Sequence, residues 1–303
     1  YPGGILERGI GSMIISASRR TDIPAYYSDW FFRRLREGYA LVRNPMNFHQ
    51  VSRIDLSPEA VDCIVFWTKD PGPMLGRLGE LAGYHYYFQF TLNPYGRDVE
   101  ENVPPKDGRI VDTFRRLSAS IGPEKVVWRY DPILFSRNYT PAYHAENFEK
   151  LAERLKGYTE KCTISFLDLY PSIKNDMASL GVREADRARQ RDTARELSRI
   201  ASRCGMSMDT CCEGIDLSGL GIGHARCIDG GLIARITGKP VRAAKDRNQR
   251  PACGCVPSAD IGSYDTCLHG CKYCYACRSR AALQKNRLRY DAASPLLCGS
   301  LRP

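Results

Sequence analysis

The sequence lacks any apolar run that approaches the roughly 20 residues needed to cross a bilayer. Residues 1–12 also lack the basic start and the apolar core of a signal peptide. Because the first strand-like run begins at Met13, we expect that residue to be the natural start and residues 1–12 and 291–303 to be tails. These absences predict a cytoplasmic protein with no membrane partner.

Histidine is scarce, with 5 residues in 303, whereas cysteine is abundant, with 13. Proteins without an export signal rarely use disulfides as a scaffold, so this number of cysteines indicates bound metal. The hydrophobic content of 43% and the charged content of 26% are ordinary for a globular protein. No segment resembles a domain linker, and we predict one compact unit.

The net charge of +10 is concentrated towards the C-terminal end of the chain. Residues 235–303 contain 13 Lys and Arg against 4 Asp, whereas the rest of the chain is close to neutral. Such a basic segment would attract an anionic partner, either an anionic substrate or a nucleic acid. No basic run is interleaved with aromatics as in a nucleic-acid groove, so charge alone favours a solvated basic face.

Apolar runs alternate with helical patterns from residue 13 to residue 210. The pattern predicts strands at 14–17, 61–67, 84–91, 125–129, 162–167 and 206–210. It predicts helices at 25–37, 74–81, 110–119, 140–156, 185–203 and, after the cysteine-rich region, 278–290. This alternation is typical of an α/β fold with parallel strands and crossover helices.

Polar residues follow six of the predicted strands at the point where each strand ends. In parallel α/β barrels the carboxyl ends of the strands carry the active site. Any single residue among them could instead cap a helix or form an internal ion pair, but the set as a whole predicts a site. The candidate catalytic residues are Arg19, Arg20, Asp22, Lys69, Arg129 and Asp131, and Asp168 and Glu213 follow the last two strands.

Three cysteines near the C-terminus, Cys267, Cys271 and Cys274, have C-x3-C-x2-C spacing, and Tyr273 precedes the last of them. Three thiolates on one short loop can hold three corners of a 4Fe-4S cubane and leave the fourth iron open. A structural zinc site normally has four protein ligands, so Cys277 or His269 would have to complete it. The spacing favours an iron–sulfur cluster and resembles the cluster loop of radical S-adenosylmethionine (SAM) enzymes.

Motifs along most of the chain resemble the family catalogued as domain of unknown function 1848. The resemblance covers nearly all of residues 13–289, and its motifs are specific. It implies a radical-SAM-like cluster at the C-terminus and a distant similarity to spore photoproduct lyase, a DNA repair enzyme. The matching segments are 18–22, 43–45, 66–69, 89–91, 128–132, 245–250, 253–255, 258–262 and Tyr264 with the cysteine loop through Ala276.

The resemblance implies a partial TIM-like (β/α)6 barrel of the radical SAM type, circularly permuted so that the cluster loop comes last. Residues 13–210 would form most of the barrel, and the cysteine-rich segment 211–290 would close the same unit. Residues 261–264 would then be the strand beside 14–17, since chain termini often lie close together. The Gly-Gly-Glu motif of ordinary radical SAM enzymes has no clear match here.

The resemblance also implies the chemistry. The open iron would bind SAM, and an electron from a flavodoxin- or ferredoxin-type donor would cleave it to methionine and a 5′-deoxyadenosyl radical that takes hydrogen from the substrate. The arginines and Lys69 could hold the carboxylate of SAM or an anionic substrate, and the aspartates could anchor ribose hydroxyls or those arginines. The predicted cofactor-binding residues are Tyr273, Arg129 and Asp168.

A second group of cysteines lies between residues 211 and 255. The resemblance favours Cys212 over Cys211 as a ligand, together with Cys227, Cys253 and Cys255. Four thiolates could bind a second 4Fe-4S cluster or a zinc ion.

Two other functions compete with radical SAM chemistry. The first is a zinc- or Fe-S-bearing nucleic-acid-binding protein, which the basic C-terminal segment favours. The second is an electron-transfer or redox-sensing protein, which leaves the polar strand ends unexplained. The number of protein ligands on the metal discriminates between these functions, since a structural site has four and a radical SAM cluster has three.

Overall fold

A computed structural model describes residues 6–7, 13–106, 108–241 and 244–299. The strands are β1 (Leu6–Glu7), β2 (Met13–Ala17), β3 (Tyr39–Asn44), β4 (Asn47–Asp55), β5 (Val61–Thr68), β6 (Tyr86–Thr91), β7 (Val126–Ile133), β8 (Lys161–Phe166), β9 (Ser207–Thr210), β10 (Gly223–His224) and β11 (Ala259–Asp260). The helices are α1 (Ile23–Tyr26), α2 (Ser28–Glu37), α3 (Gly72–Leu75), α4 (Arg109–Ile121), α5 (Pro141–Leu155), α6 (Lys174–Ser179), α7 (Arg187–Arg203), α8 (Gly230–Thr237) and α9 (Arg280–Leu288).

Eight strands form one parallel sheet in the order β10-β9-β8-β7-β6-β5-β2-β11. The predicted α/β class with a central parallel sheet is therefore confirmed. From β2 to β10 the strands lie in chain order, and β11 is added beside β2. Among the described residues, the edge strands β10 and β11 do not pair with each other.

Side chains alternate between the two faces of this sheet because successive residues of a strand point in opposite directions. On one face, Phe66, Phe88 and Trp128 belong to the main hydrophobic core. On the other face, which we call the inner face, Val65 and Val127 pack in a smaller core that includes residues of α8 and of the segment 253–256. The inner face is thus covered by chain that follows β10.

The junction between β2 and β11 is built around the carboxylate of Asp260. Asp260 pairs in register with Ser16 and accepts hydrogen bonds from the hydroxyls of Ser16 and Ser18, at 2.9 and 2.6 Å. It also accepts from the backbone N–H groups of Arg19 and Gly262, at 2.8 and 3.0 Å. The strand expected beside 14–17 is present, but it spans 259–260 rather than 261–264, because Asp260 has to face these donors.

Some predicted elements differ in the structure. The helix predicted at 25–37 is divided at Tyr27 into α1 and α2, and the helix predicted at 74–81 is α3 followed by a 3-10 turn over Leu78–Leu81. The antiparallel hairpin of β3 and β4 was not predicted, because the polar residues on both faces of β4 obscure the alternation that marks a strand.

Part of the C-terminal segment that was expected to be a tail packs against the fold. The backbone N–H of Leu41 donates to the carbonyl of Pro295 at 2.9 Å, and the indole of Trp30 donates to that of Ser294 at 2.9 Å. Residues 1–5, 8–12 and 300–303 of the predicted tails lie outside the described residues, whereas Leu6–Glu7 pair with β4. In the described ranges no helix has the length and apolar character needed to span a bilayer.

Candidate functional site

The loop of Cys267, Cys271 and Cys274 follows β11 and therefore lies at the carboxyl edge of the sheet. Backbone contacts fix it to the segment after β6. Glu100 and Cys271 form an antiparallel bridge, and the N–H of Lys272 donates to the carbonyl of Val99 at 2.9 Å. The three thiols are half-buried.

His269, between the first two cysteines, ties the loop to α1. Its Nε2 donates to the Oδ2 atom of Asp22 at 2.7 Å, and its Nδ1 accepts from the hydroxyl of Tyr26 at 3.0 Å. Asp22 also caps α1 through the N–H of Ala25 and accepts from the N–H of Lys69, at 3.0 and 2.7 Å. Because both ring nitrogens of His269 are hydrogen-bonded within the protein, His269 positions the loop. Asp22 is the N-cap of α1, the structural alternative that the sequence left open for such a residue.

The three loop thiols lie close enough to influence one another's ionisation. Burial raises the pKa of Cys267, and the carboxylate of Asp22 and the thiol of Cys274 raise it further. Burial also raises the pKa of Cys271, against the opposing effect of the ammonium group of Lys69. A cation at this loop would stabilise the thiolates that burial disfavours.

A buried ion-pair network lies beside the loop. Glu100, which is 1% exposed, binds the ammonium groups of Lys69 and Lys106 at 2.8 and 2.7 Å. Although burial opposes ionisation of Glu100, these two ammonium groups lower its pKa to about 2. The hydroxyl of Tyr273 donates to the same carboxylate, and the ammonium of Lys69 lies 5.4 Å from the Tyr273 ring centroid.

Asn93 joins this network to the inner face of the sheet. Its Nδ2 donates to the hydroxyl of Tyr273 at 3.2 Å and to the carbonyl of Asp131 at 2.8 Å, while its Oδ1 accepts from the N–H of Asp131 at 2.8 Å. The predicted residues Lys69, Tyr273 and Asp131 are therefore parts of one connected set.

On the inner face, the guanidinium of Arg129 is buried and paired with Asp131, with an Nε to Oδ2 distance of 3.0 Å. Despite the opposing effect of burial, the Cys227 thiol and the Asp131 carboxylate raise the pKa of Arg129. The guanidinium carbons of Arg19 and Arg129 lie 5.4 and 5.3 Å from the ring centroid of Trp67. The indole N–H of Trp67 is buried and has no hydrogen-bond partner, so it is available to an acceptor on a ligand.

Two predicted residues lie outside this set. Asp168 pairs with Arg250, with an Nη1 to Oδ2 distance of 2.5 Å, and about half of each side chain is exposed. Arg20 lies over the ring of Tyr264 at 5.2 Å, and its Nε is 3.9 Å from Asp260.

The second group of cysteines also lies on the inner face. The sulfurs of Cys211 and Cys227 are 3.2 Å apart, the backbone N–H of Ile228 donates to the sulfur of Cys255 at 3.3 Å, and Cys253 packs against the same smaller core. Cys212, which the sequence-based set includes, has a φ of 60° and is not among the residues of that core. The structure thus brings Cys211, and not Cys212, to the other three thiols.

Within the described residues, no group of three or more His, Cys, Asp and Glu side chains is arranged to hold a metal ion as the side chains stand. Sequence reasoning also missed Glu100, Trp67 and Asp260 as parts of the site. Trp67 and Asp260 lie within matched motifs, which is a signal that could have identified them, whereas Glu100 lies in a loop with no motif around it.

A family model described as Domain of unknown function (DUF1848) matches residues 14–276. The matched range extends from β2 through the cysteine loop and includes both groups of thiols. No curated protein matches the chain at a significant level.

Proposed function

The chain belongs to the DUF1848 family, and we propose that it is a radical SAM enzyme that takes hydrogen from an anionic or nucleic-acid substrate. One observation carries the proposal. The loop with the C-x3-C-x2-C spacing follows a strand that pairs in parallel with β2, at the edge where the polar strand-end residues converge. In parallel α/β proteins this edge carries the active site.

The strand order supports a permuted barrel. If β11 and its loop are taken first, the strands follow in sequence from β2 to β10, so the cluster loop comes after the first strand of the sheet. The α/β unit would then be a partial barrel whose open side lies between β11 and β10, and whose inner face holds Arg129 and Asp131.

The loop residues fit a three-thiolate 4Fe-4S cluster. In a cubane each thiolate binds a different iron, so Cys267, Cys271 and Cys274 need not converge on one point as the ligands of a single ion must. Two lysines share the carboxylate of Glu100, which leaves excess positive charge beside Cys271 to offset an anionic cluster. When bound, the cluster and SAM supply the reducing electron and the radical that removes hydrogen from the substrate.

The residues of the chain would bind and orient. Tyr273, held by Glu100 and Asn93, covers the loop on the side of the inner face. Arg129 and the indole N–H of Trp67 would face the polar groups of SAM, and Asp131 would fix Arg129. Asp168 and Arg20 lie outside the connected set of residues, so we expect them to contact the substrate rather than the cofactor.

Anaerobic reconstitution with iron and sulfide, followed by reduction with dithionite, tests the proposal. We expect a brown protein that converts SAM to 5′-deoxyadenosine, measured by liquid chromatography and mass spectrometry. Cys271→Ala should abolish the product while circular dichroism shows that the fold is kept. If the native protein makes no 5′-deoxyadenosine and holds about one tightly bound zinc, the proposal is wrong. A nucleic-acid-binding protein with structural metal would then be the better account.

A further inference from the structure

The side chains of Cys211, Cys227, Cys253 and Cys255 pack together in the smaller core on the inner face, where the sulfurs of Cys211 and Cys227 are 3.2 Å apart. We refer to them as the second thiol cluster. Cys227 and Cys255 are buried, and the other two are half-buried. Cys211 follows β9, which lies next to the edge strand β10, and Cys255 lies four residues before β11, the opposite edge strand. The cluster therefore brings together segments that adjoin the two ends of the sheet.

The alternation of β9 explains why Cys211 belongs to the cluster and Cys212 does not. Met208 packs in the main core, whereas Asp209 lies on the inner face, where it accepts from Thr163 at 2.6 Å and pairs with Lys161 at 2.9 Å. Cys211 is two residues beyond Asp209 and continues the inner face. Cys212 falls on the opposite parity, and its backbone is left-handed, with a φ of 60°.

Buried positive charge surrounds the second thiol cluster. Arg129 donates from Nη1 to the sulfur of Cys227 at 3.0 Å. The guanidinium of Arg19 lies 5.4 Å from the centroid of the same Trp67 ring that Arg129 covers, and its Nη2 is buried without a hydrogen-bond partner. An unpaired buried donor is costly unless something compensates it. Four thiolates around a metal carry net negative charge and would supply that compensation for both arginines.

We propose that Cys211, Cys227, Cys253 and Cys255 hold a second metal centre, a zinc ion or a 4Fe-4S cluster, that is separate from the Cys267–Cys274 loop. All four ligands are thiols, which zinc and iron–sulfur clusters both favour. Among the described residues no three of these thiols already form a site for one ion, so the proposal requires the thiols to turn towards one another when the metal binds. A cleft of about 550 Å³, lined in part by Cys253, opens beside the cluster and provides a path for the metal.

The expected role of this centre is structural: it would hold the segment that contains α8 and residues 253–256 against the inner face of the sheet. The ligands come from three separate stretches of chain, at 211, 227 and 253–255, and α8 lies between the second and third. A metal that only the folded chain can bind stabilises the folded state by its binding free energy. Because four protein ligands leave no open position on the metal, this centre would not bind SAM and its role would be structural.

The test uses the full chain with Cys267, Cys271 and Cys274 all replaced by Ser, so that the first loop cannot contribute metal. Cys211→Ser and the matched variant Cys212→Ser are made in this background and purified with both zinc and iron available. Metal is counted by plasma mass spectrometry. We expect about one zinc, or about four irons with four sulfides, per chain in the background and in Cys212→Ser, and at least a five-fold loss in Cys211→Ser.

The same preparation tells the two metals apart. A zinc centre is colourless, whereas a 4Fe-4S cluster is brown and gives a paramagnetic signal when reduced. The proposal is overturned if the background binds neither metal, if Cys211→Ser keeps its metal, or if Cys212→Ser loses it. Because the first loop is removed, these outcomes do not depend on the proposed SAM chemistry.

A second measurement covers the case in which Cys211→Ser does not fold. The unsubstituted protein is treated with iodoacetamide, with and without prior chelation of metal, and each cysteine is followed by mass spectrometry. We expect all four thiols of the second cluster to become reactive together after chelation, whereas Cys212 reacts equally in both samples. If chelation changes Cys212, or leaves Cys211 and Cys253 unchanged, the assignment is wrong.

Discussion

The ammonium nitrogen of Lys69 lies 2.8 Å from the Oε1 atom of Glu100, and this pair is buried beside the cysteine loop. Lys106 binds the other carboxylate oxygen at 2.7 Å, so one buried negative charge holds two positive charges. The Tyr273 hydroxyl donates to the same carboxylate. Glu100 is therefore one of the residues that connect the loop to the strand ends, together with Asp22 and Asn93.

Glu100→Gln should destabilise the protein, because it leaves two buried ammonium groups without a counter-charge. We expect the free energy of unfolding to fall by on the order of 3 kcal/mol, measured by urea denaturation. Glu101→Gln is the matched control, since Glu101 is half-exposed and 3.6 Å from Arg280. The control should change stability by less than about 0.5 kcal/mol, and equal effects of the two variants would contradict this role.

Gly262→Ala should loosen the junction of β11 with β2. A Cβ at residue 262 would lie 2.1 Å from Oγ and 2.6 Å from Cβ of Ser18, and the second clash cannot be relieved by side-chain rotation. We expect a loss of about 1–3 kcal/mol in unfolding free energy. Gly76→Ala is the control, because a Cβ there meets nothing within 4 Å. A Gly262→Ala protein as stable as the control would show that the junction is not tightly packed.

Trp67→Phe should affect binding and stability in opposite ways. The indole N–H of Trp67 has no protein partner, so its removal should leave the stability of the SAM-free protein unchanged or slightly higher. The affinity for SAM, measured by calorimetry, should fall by about 10-fold, the value of one hydrogen bond. In Trp128→Phe, which loses a 2.9 Å bond to the Leu92 carbonyl, we expect the reverse, with lower stability and unchanged affinity.

His144 should make stability depend on pH. Its Nε2 donates to the carbonyl of Leu134 and its Nδ1 accepts from the hydroxyl of Tyr130, both at 2.8 Å, and burial lowers its pKa to about 4. In the unfolded chain His144 binds a proton at about pH 6.5. Its contribution to the free energy of unfolding is therefore fully present above that pH and is lost as the pH falls towards 4. The total loss should be about 3 kcal/mol.

The control for this pH dependence is His144→Gln, which stays neutral. Urea denaturation between pH 4 and pH 7 should show a lower stability at pH 7 in the variant but a flatter pH profile than in the native protein. Identical slopes for the two proteins would place the pH dependence elsewhere.

The regular strands were predictable because their apolar runs are short, buried and separated by helical patterns, as at Val61–Thr68 and Lys161–Phe166. The spacing of Cys267, Cys271 and Cys274 predicts a set of cluster ligands, and that assignment stays a prediction. The partner of Lys69 could not be predicted from the sequence, because Glu100 lies in a loop whose residues show no motif or secondary-structure pattern. Strand parity, counted from Met208 or Asp209, places Cys211 rather than Cys212 on the inner face, and which of the two binds metal stays a prediction.

The most direct measurement is the paramagnetic resonance spectrum of the reduced protein before and after SAM is added, in native protein and in Cys277→Ala. Cys277 is the next cysteine after the loop, three residues beyond Cys274, and could complete a four-ligand site. If the fourth iron is open, the cluster forms in both proteins and the spectrum of each changes when SAM binds. A spectrum that SAM does not alter, or a cluster that is lost in Cys277→Ala, would contradict the account.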